Sequence, residues 1–189
     1  AKIFWHLYKE KKKGNPPPPP VNPKTGQPSV IDPDNKGNGR GFQDKHDFEK
    51  AKKMLEKLGL GFDSIVKTLD YITPEALANY RGTGRVRKEF LGPVYPGAAG
   101  ILMPRLLHPD ALIQYDFIAS RDQAVAVNPG WDRYEKLTYS PGVRAGKLLF
   151  LSGQGSLDPS TERIVHDGDV VAQAAYTYNN IFKVIEAGG

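Results

Sequence analysis

The sequence predicts an α+β chain whose helices and strands fall into two uneven blocks. Three observations carry this. A 3.6-residue apolar period marks the segments beginning at Asp44 and near Asp169. Strict alternation or short apolar runs mark four to five other segments. A stretch dense in proline, glycine and asparagine separates the first thirteen residues from everything after them.

Taken in order, residues 1–13 place Ile3, Phe4, Leu7 and Tyr8 at helical spacing before Gly14. Residues 15–42 hold the run Pro16–Pro20 and the turn-rich "DPDNKGNG", and read as a surface insertion, with a ligand for a proline-reading module as the other possibility. "DKHDFEKAKKMLEKLGLG" is an amphipathic helix with Phe48, Ala51, Leu55 and Leu58 on one face, closed by Gly59 or Gly61. "FDSIVKTLDYI" alternates as a strand. Ile65, Lys67, Leu69 and Tyr71 fall on one face, and Val66, Thr68, Asp70 and Ile72 on the other. Thr73-Pro74 opens a mostly helical segment weakened by its central glycines. "AAGILM" and "DALIQYDFIAS" are two more strands. "RDQAVAVNPGWDRYEKLT" reads as a connecting segment, and two short strands follow with a tight turn at Ala145-Gly146. Asp167 or Asp169 caps a last helix whose apolar face is Val171, Ala174, Tyr178, Ile181 and Ile185.

Composition removes several classes of function. The 189 residues contain no cysteine, so thiolate catalysis, disulfides and cysteine metal sites are excluded. No apolar run approaches the roughly 20 residues of a membrane span, and the first residues carry their charge after the apolar positions, the reverse of a signal peptide. No membrane partner and a cytoplasmic location are expected. The net charge of +5 is concentrated in Lys9 and Lys11–Lys13, which reads as a solvated run and not as a nucleic-acid surface. His108 and His166 lack spaced partners, so no metal or other cofactor is expected. "GRGF" and "RGTGR" are too short for phosphate loops, and Trp131 reads as an anchor of its loop.

The chain begins on alanine, without an initiator methionine, and Ile-Phe recurs at Ile3-Phe4 and Ile181-Phe182. Both favour one period of a tandem array, beginning and ending inside a helix and read from a processed or partial chain.

Residues 136–189 resemble the N-terminal half of the Rid family, the reactive-intermediate deaminases also called YjgF/UK114. Tyr139-Ser140 precedes a hairpin, an apolar strand ends in Ser152-Gly153-Gln154, an Asp-Pro turn follows, and Gln173 and "EAG" lie in the helix. "FDSIVKTLDYITPEALANY" and "ALIQYDFIA", within residues 46–119, resemble the C-terminal half of the same family. The halves stand in reversed order, as in a tandem or circularly permuted member. The resemblance implies a chorismate-mutase-like α+β fold, with a sheet packed on two helices. It divides the chain into a C-terminal part at 1–119 carrying an insertion at 14–43, a linker at 120–135, and an N-terminal part at 136–189. It also implies a homo-oligomer, a trimer or pseudo-trimeric tandem assembly, with small ligands in clefts between subunits.

The family's deaminases grip a substrate carboxylate with a strand arginine and position water with a glutamate on the closing strand. Here the arginine position falls at Ala98 or Ala99, with Arg105 displaced into the following loop, and the glutamate position is Gln114. An amide holds water but takes no proton from it at neutral pH. Asp116, two residues on along the strand, is the nearest carboxylate on the same face. By the resemblance, Tyr139, Ser152, Gly153 and Gln154 line the ligand site, with Gln114 and Asp116 as catalytic candidates. Hydrolysis of a small imine, enamine or related C–N compound is the expected activity. A ligand-binding domain without chemistry is the alternative, and RNA binding or cleavage the remote one.

Overall fold

The computed structural model describes residues 2–4, 41–107 and 111–189. The proline-rich segment, the lysine run and His108 lie outside these residues. The elements are β1 (Lys2–Phe4), α1 (Gly41–Lys57), β2 (Ile65–Ile72), α2 (Leu77–Tyr80), α3 (Thr83–Phe90), β3 (Gly97–Leu102), β4 (Ile113–Ala119), β5 (Ala124–Val127), β6 (Gly142–Ala145), β7 (Leu148–Leu151) and α4 (Val170–Gly188). They build two sheets. One has the order β1-β4-β2-β3, with only the β2–β3 pair parallel, and the other is the antiparallel meander β5-β6-β7.

The first sheet carries its helices on one face. Phe48, Ala51 and Leu55 of α1 are fully buried against it, and the Phe48 ring meets Tyr115 and Phe117 edge-on at 5.6 and 5.5 Å. Gly59, at φ +67°, ends α1 in the left-handed conformation that glycine adopts without cost, which leaves Leu58 outside the core. On β2 the alternation holds from Thr68 to Ile72. At its start one extra residue between Ile65 and Lys67 opposes Ile118, and this bulge sends Ile65 to the helix-side core and Val66 to the second sheet's core with Val143 and Ala145.

Three elements differ from the sequence reading. Lys2–Phe4 is a strand paired antiparallel to β4, not the start of a helix. The two Ile-Phe pairs therefore sit in a strand and in α4, and mark no shared point of a repeat. The connecting segment contains a strand, β5, because Ala124–Val127 pairs residue for residue with Gly142–Ala145. Finally, α4 is turned away from its predicted face: Val171, Ala174, Tyr178 and Ile185 are exposed, while Asn180 and Val184 are buried. The Asn180 amide donates to the Leu157 carbonyl at 3.1 Å, and a Cβ on Gly142 would meet Val184 at 2.9 Å. Close approach through glycine, together with carbonyls that need a donor, fixes the rotation of this helix over its hydrophobic count. Asp169 caps it as expected, accepting from Val171 N and Ala172 N at 3.1 and 3.0 Å. No described helix is long and apolar enough to cross a membrane.

Candidate functional site

The two sheets join at the edge of β3. Gly97 bridges Ser140, and Ser140 N donates to the Pro96 carbonyl at 3.1 Å. The backbone of Ala98 is then satisfied from β7's end: Gly153 N donates to its carbonyl at 2.9 Å, and its own N–H donates to Ser152 Oγ at 2.7 Å. Ser152 Oγ in turn donates to the Ser140 carbonyl. An exposed edge strand is thereby covered. The contact depends on small residues, since a Cβ on Gly97 would lie 2.9 Å from the Phe150 carbonyl oxygen, and one on Gly153 3.2 Å from Ala99 Cβ.

This answers what the Ser-Gly-Gln strand end does. Ser152 is 4% exposed and its hydroxyl both donates and accepts, so it builds the wall instead of facing a ligand. Gly153 is exposed and Gln154 half-buried.

The wall continues in tyrosines. Tyr134 meets Tyr139 edge-on at 5.6 Å and stacks on Trp131 at 5.9 Å. Trp131 is held by Asn128, whose side chain accepts from its N–H and donates to its carbonyl. Burial raises the pKa of Tyr134, with the nearby Gln154 amide lowering it, Tyr139 raising it and Arg133 lowering it again. The Gln154 amide is thus within hydrogen-bonding reach of the Tyr134 hydroxyl, while the buried Arg133 Nε has no hydrogen-bond partner. The Arg133 guanidinium carbon lies 5.3 Å from the Tyr134 ring centroid.

Tyr80 closes the helix side. Its hydroxyl donates to Asp70 Oδ2 at 2.7 Å, and Asp70 is ion-paired to Arg87, which also donates to Thr68 Oγ1 at 3.2 Å. Asp70 has no exposed surface and Arg87 only 4%. Burial and the Asp70 charge push the Tyr80 pKa up strongly, Arg87 opposes them, and hydrogen bonding to Asp70 and proximity to Tyr139 add to the rise. Burial alone would lower the Arg87 pKa, but Asp70 and the neighbouring tyrosines hold it above its usual value. Because Tyr80 donates to Asp70, it presents an acceptor oxygen elsewhere, and that oxygen lies 3.1 Å from where a Cβ on Gly100 would stand.

Gln114 and Asp116 occupy the other face of the first sheet. The register runs Ala99–Leu69–Asp116 and Ile101–Tyr71–Gln114 across β3, β2 and β4. Cross-strand partners share a face, so Asp116 stands two strand spacings, about 10 Å, from Ala99. Burial raises the pKa of Tyr71, as do the charge of Asp116 and the hydrogen bond that Tyr71 donates to it. Asp116 is 5% exposed and its Oδ1 is unpaired. The expected site residues therefore separate by strand. Ser152 and Gly153 join Ala98 and Ala99 at the sheet edge, where Tyr139 and Gln154 lie beside Tyr134, whereas Gln114 and Asp116 lie on β4, two strands in from that edge. Tyr80, Arg133 and Tyr134 were not singled out by sequence. "WDRY" offered an aromatic-cationic signal, but its partners lie far away in the chain.

Residues 134–189 match the family model described as endoribonuclease L-PSP. The matched segment is the one that resembles the N-terminal half of the Rid family. Protein DfrA of Myxococcus xanthus is 51% identical over 53 residues, and a RutC family protein of Pyrococcus horikoshii is 41% identical over 51. Each alignment covers 27% of this chain, which spans 40% of the length of either relative. A solved chorismatase overlays 79% of this chain and 51% of its own with a TM-score of 0.56 at 17% identity. The α+β fold is therefore shared well beyond the matched segment.

Proposed function

We propose that this Rid-type chain binds a small organic molecule at the seam between β3 and the β7 strand end. The observation that carries the reading is the pair of hydrogen bonds between Ala98 and Ser152-Gly153, which brings the two resembling halves of the sequence into one wall beside Tyr134, Tyr139 and Gln154. In a tandem arrangement the seam would be the junction of two Rid-like units, and assembly with further copies would enclose it. Amide chemical-shift mapping of the full chain against a library of small charged and neutral fragments tests this. Shifts should cluster at Ala98–Gly100 and Ser152–Gly155; shifts confined to other surfaces, or none, would overturn it.

A second reading, hydrolysis of an imine or enamine C–N bond, is supported by the unpaired Asp116 Oδ1. That oxygen could take a proton from water as the water adds to the imine carbon, with the amine leaving protonated. Neither Ala98, Ala99 nor Gln114 supports it. Release of ammonia from an enzymatically generated 2-imino acid, abolished in Asp116→Asn, would favour this reading, and identical release by that variant would sink the role of Asp116.

A further inference from the structure

Tyr80 is locked into one hydrogen-bonding role. Its hydroxyl donates to Asp70 Oδ2 at 2.7 Å, and Asp70, a carboxylate with no exposed surface and an ion pair to Arg87, can only accept. The one phenolic proton is spent on this inner side, and the oxygen keeps lone pairs for a donor. Asp70 stands opposite Gly100 in the β2–β3 register, so the two share the helix-side face. A Cβ on Gly100 would lie 3.1 Å from the Tyr80 oxygen, and glycine leaves that approach open at the exposed strand edge.

Tyr134 has the converse role. Burial raises its pKa and the Gln154 amide lowers it, which is the effect of a donor on a phenol oxygen. The Tyr134 oxygen therefore accepts from Gln154, and its own proton is free to donate. Tyr139 lies between the two. It meets Tyr134 edge-on at 5.6 Å, and it adds to the rise of the Tyr80 pKa behind burial and Asp70. The seam thus offers one fixed acceptor and one fixed donor, both uncharged. A carboxylate would set oxygen against oxygen at Tyr80, and an ammonium would leave the Tyr134 proton without an acceptor. A group with N–H beside C=O answers both.

We propose that the seam takes a neutral ligand bearing an amide, lactam or urea group, whose N–H donates to the Tyr80 oxygen and whose carbonyl accepts from the Tyr134 hydroxyl. This rests on the seam being the ligand site, and deepens that reading to a ligand class.

Benzamide, N,N-dimethylbenzamide and benzoate share a ring, and only the first has an N–H. Amide chemical-shift titration of the full chain gives affinity and location together. Benzamide should bind about ten-fold tighter than either of the others, which leave the Tyr80 oxygen unpaired. Tyr80→Phe should remove that advantage and leave N,N-dimethylbenzamide unchanged. Tyr134→Phe should weaken both amides by a similar factor, and an undiminished affinity would overturn the role of its hydroxyl. If none of the three shifts Ala98–Gly100 in the wild type, the seam reading itself fails. If they bind at the seam and benzamide has no advantage, or keeps it in Tyr80→Phe, the seam stands and the Tyr80 contact is overturned. Gly100→Ala decides the matter should the phenylalanine variant fail to fold. Its methyl abuts the Tyr80 oxygen, so benzamide should lose its advantage, and an unchanged preference would refute the contact.

Discussion

Replacing Arg87 with methionine probes the network that fixes Tyr80 at the seam. The substitution keeps volume and removes the cation paired with Asp70, a carboxylate with no exposed surface, leaving it the Tyr80 hydroxyl as hydrogen-bond donor. Breaking one side of a buried pair costs about 3–5 kcal/mol, because the partner's charge stays in a poorly solvating interior. Against a total stability of about 5–15 kcal/mol for a domain, the loss is large and measurable. Removing both charges in Arg87→Met/Asp70→Leu is milder. It strands the Thr68 and Tyr80 hydroxyls, at about 1–3 kcal/mol each, but no charge. The double variant should therefore be less destabilised than the sum of the singles by at least about 2 kcal/mol. Urea unfolding, followed by far-ultraviolet circular dichroism and tryptophan fluorescence, gives all four corners of the cycle. A cost below about 1 kcal/mol for Arg87→Met, or simple additivity in the double variant, would show that the pair is not the organising contact described here.

The Tyr80 hydroxyl, the seam and the helix cap give further outcomes. The Tyr80 pKa is raised on folding, so its contribution is fully present below the unfolded value of 10.0 and is lost as pH rises above it. Tyr80→Phe should accordingly lose less stability than wild type between about pH 9 and 11, read from urea midpoints at each pH. Gly97→Val places carbon against the Phe150 carbonyl, 2.9 Å from where its Cβ would stand, and must part the two sheets. It should cost about 1–3 kcal/mol and shift the amide resonances of Ala98 and Gly153, whereas unchanged spectra would contradict the close approach. Asp169→Ala removes the cap that accepts from Val171 N and Ala172 N, and should cost about 1 kcal/mol in a urea titration.

The family pattern in residues 136–189 was legible in sequence because it is local. The Tyr139-Ser140 approach to the hairpin, the glycine turn at Gly146, the Ser152-Gly153 strand end and the Asp169 cap each depend on neighbours a few residues away. The same holds for the core face of α1, where Phe48, Ala51 and Leu55 repeat at the helical period. What failed was whatever depends on partners distant in sequence. The strand at Ala124–Val127 exists because β6 offers it a ladder, and the rotation of α4 follows from Gly142 and the Leu157 carbonyl, not from its own apolar count.

The sequence by itself determined the α+β class, the position of most elements and the residue types available for chemistry. Only the tertiary structure decided that Ser152 is consumed in joining two sheets, that Gln114 and Asp116 lie on β4 two strands in from that seam, and that the Arg133 guanidinium lies beside the Tyr134 ring. Alternation assigns a side chain to one of two faces. Which strand edge meets which, across 54 residues in the case of Ala98 and Ser152, is set by hydrogen-bond satisfaction and close packing in three dimensions.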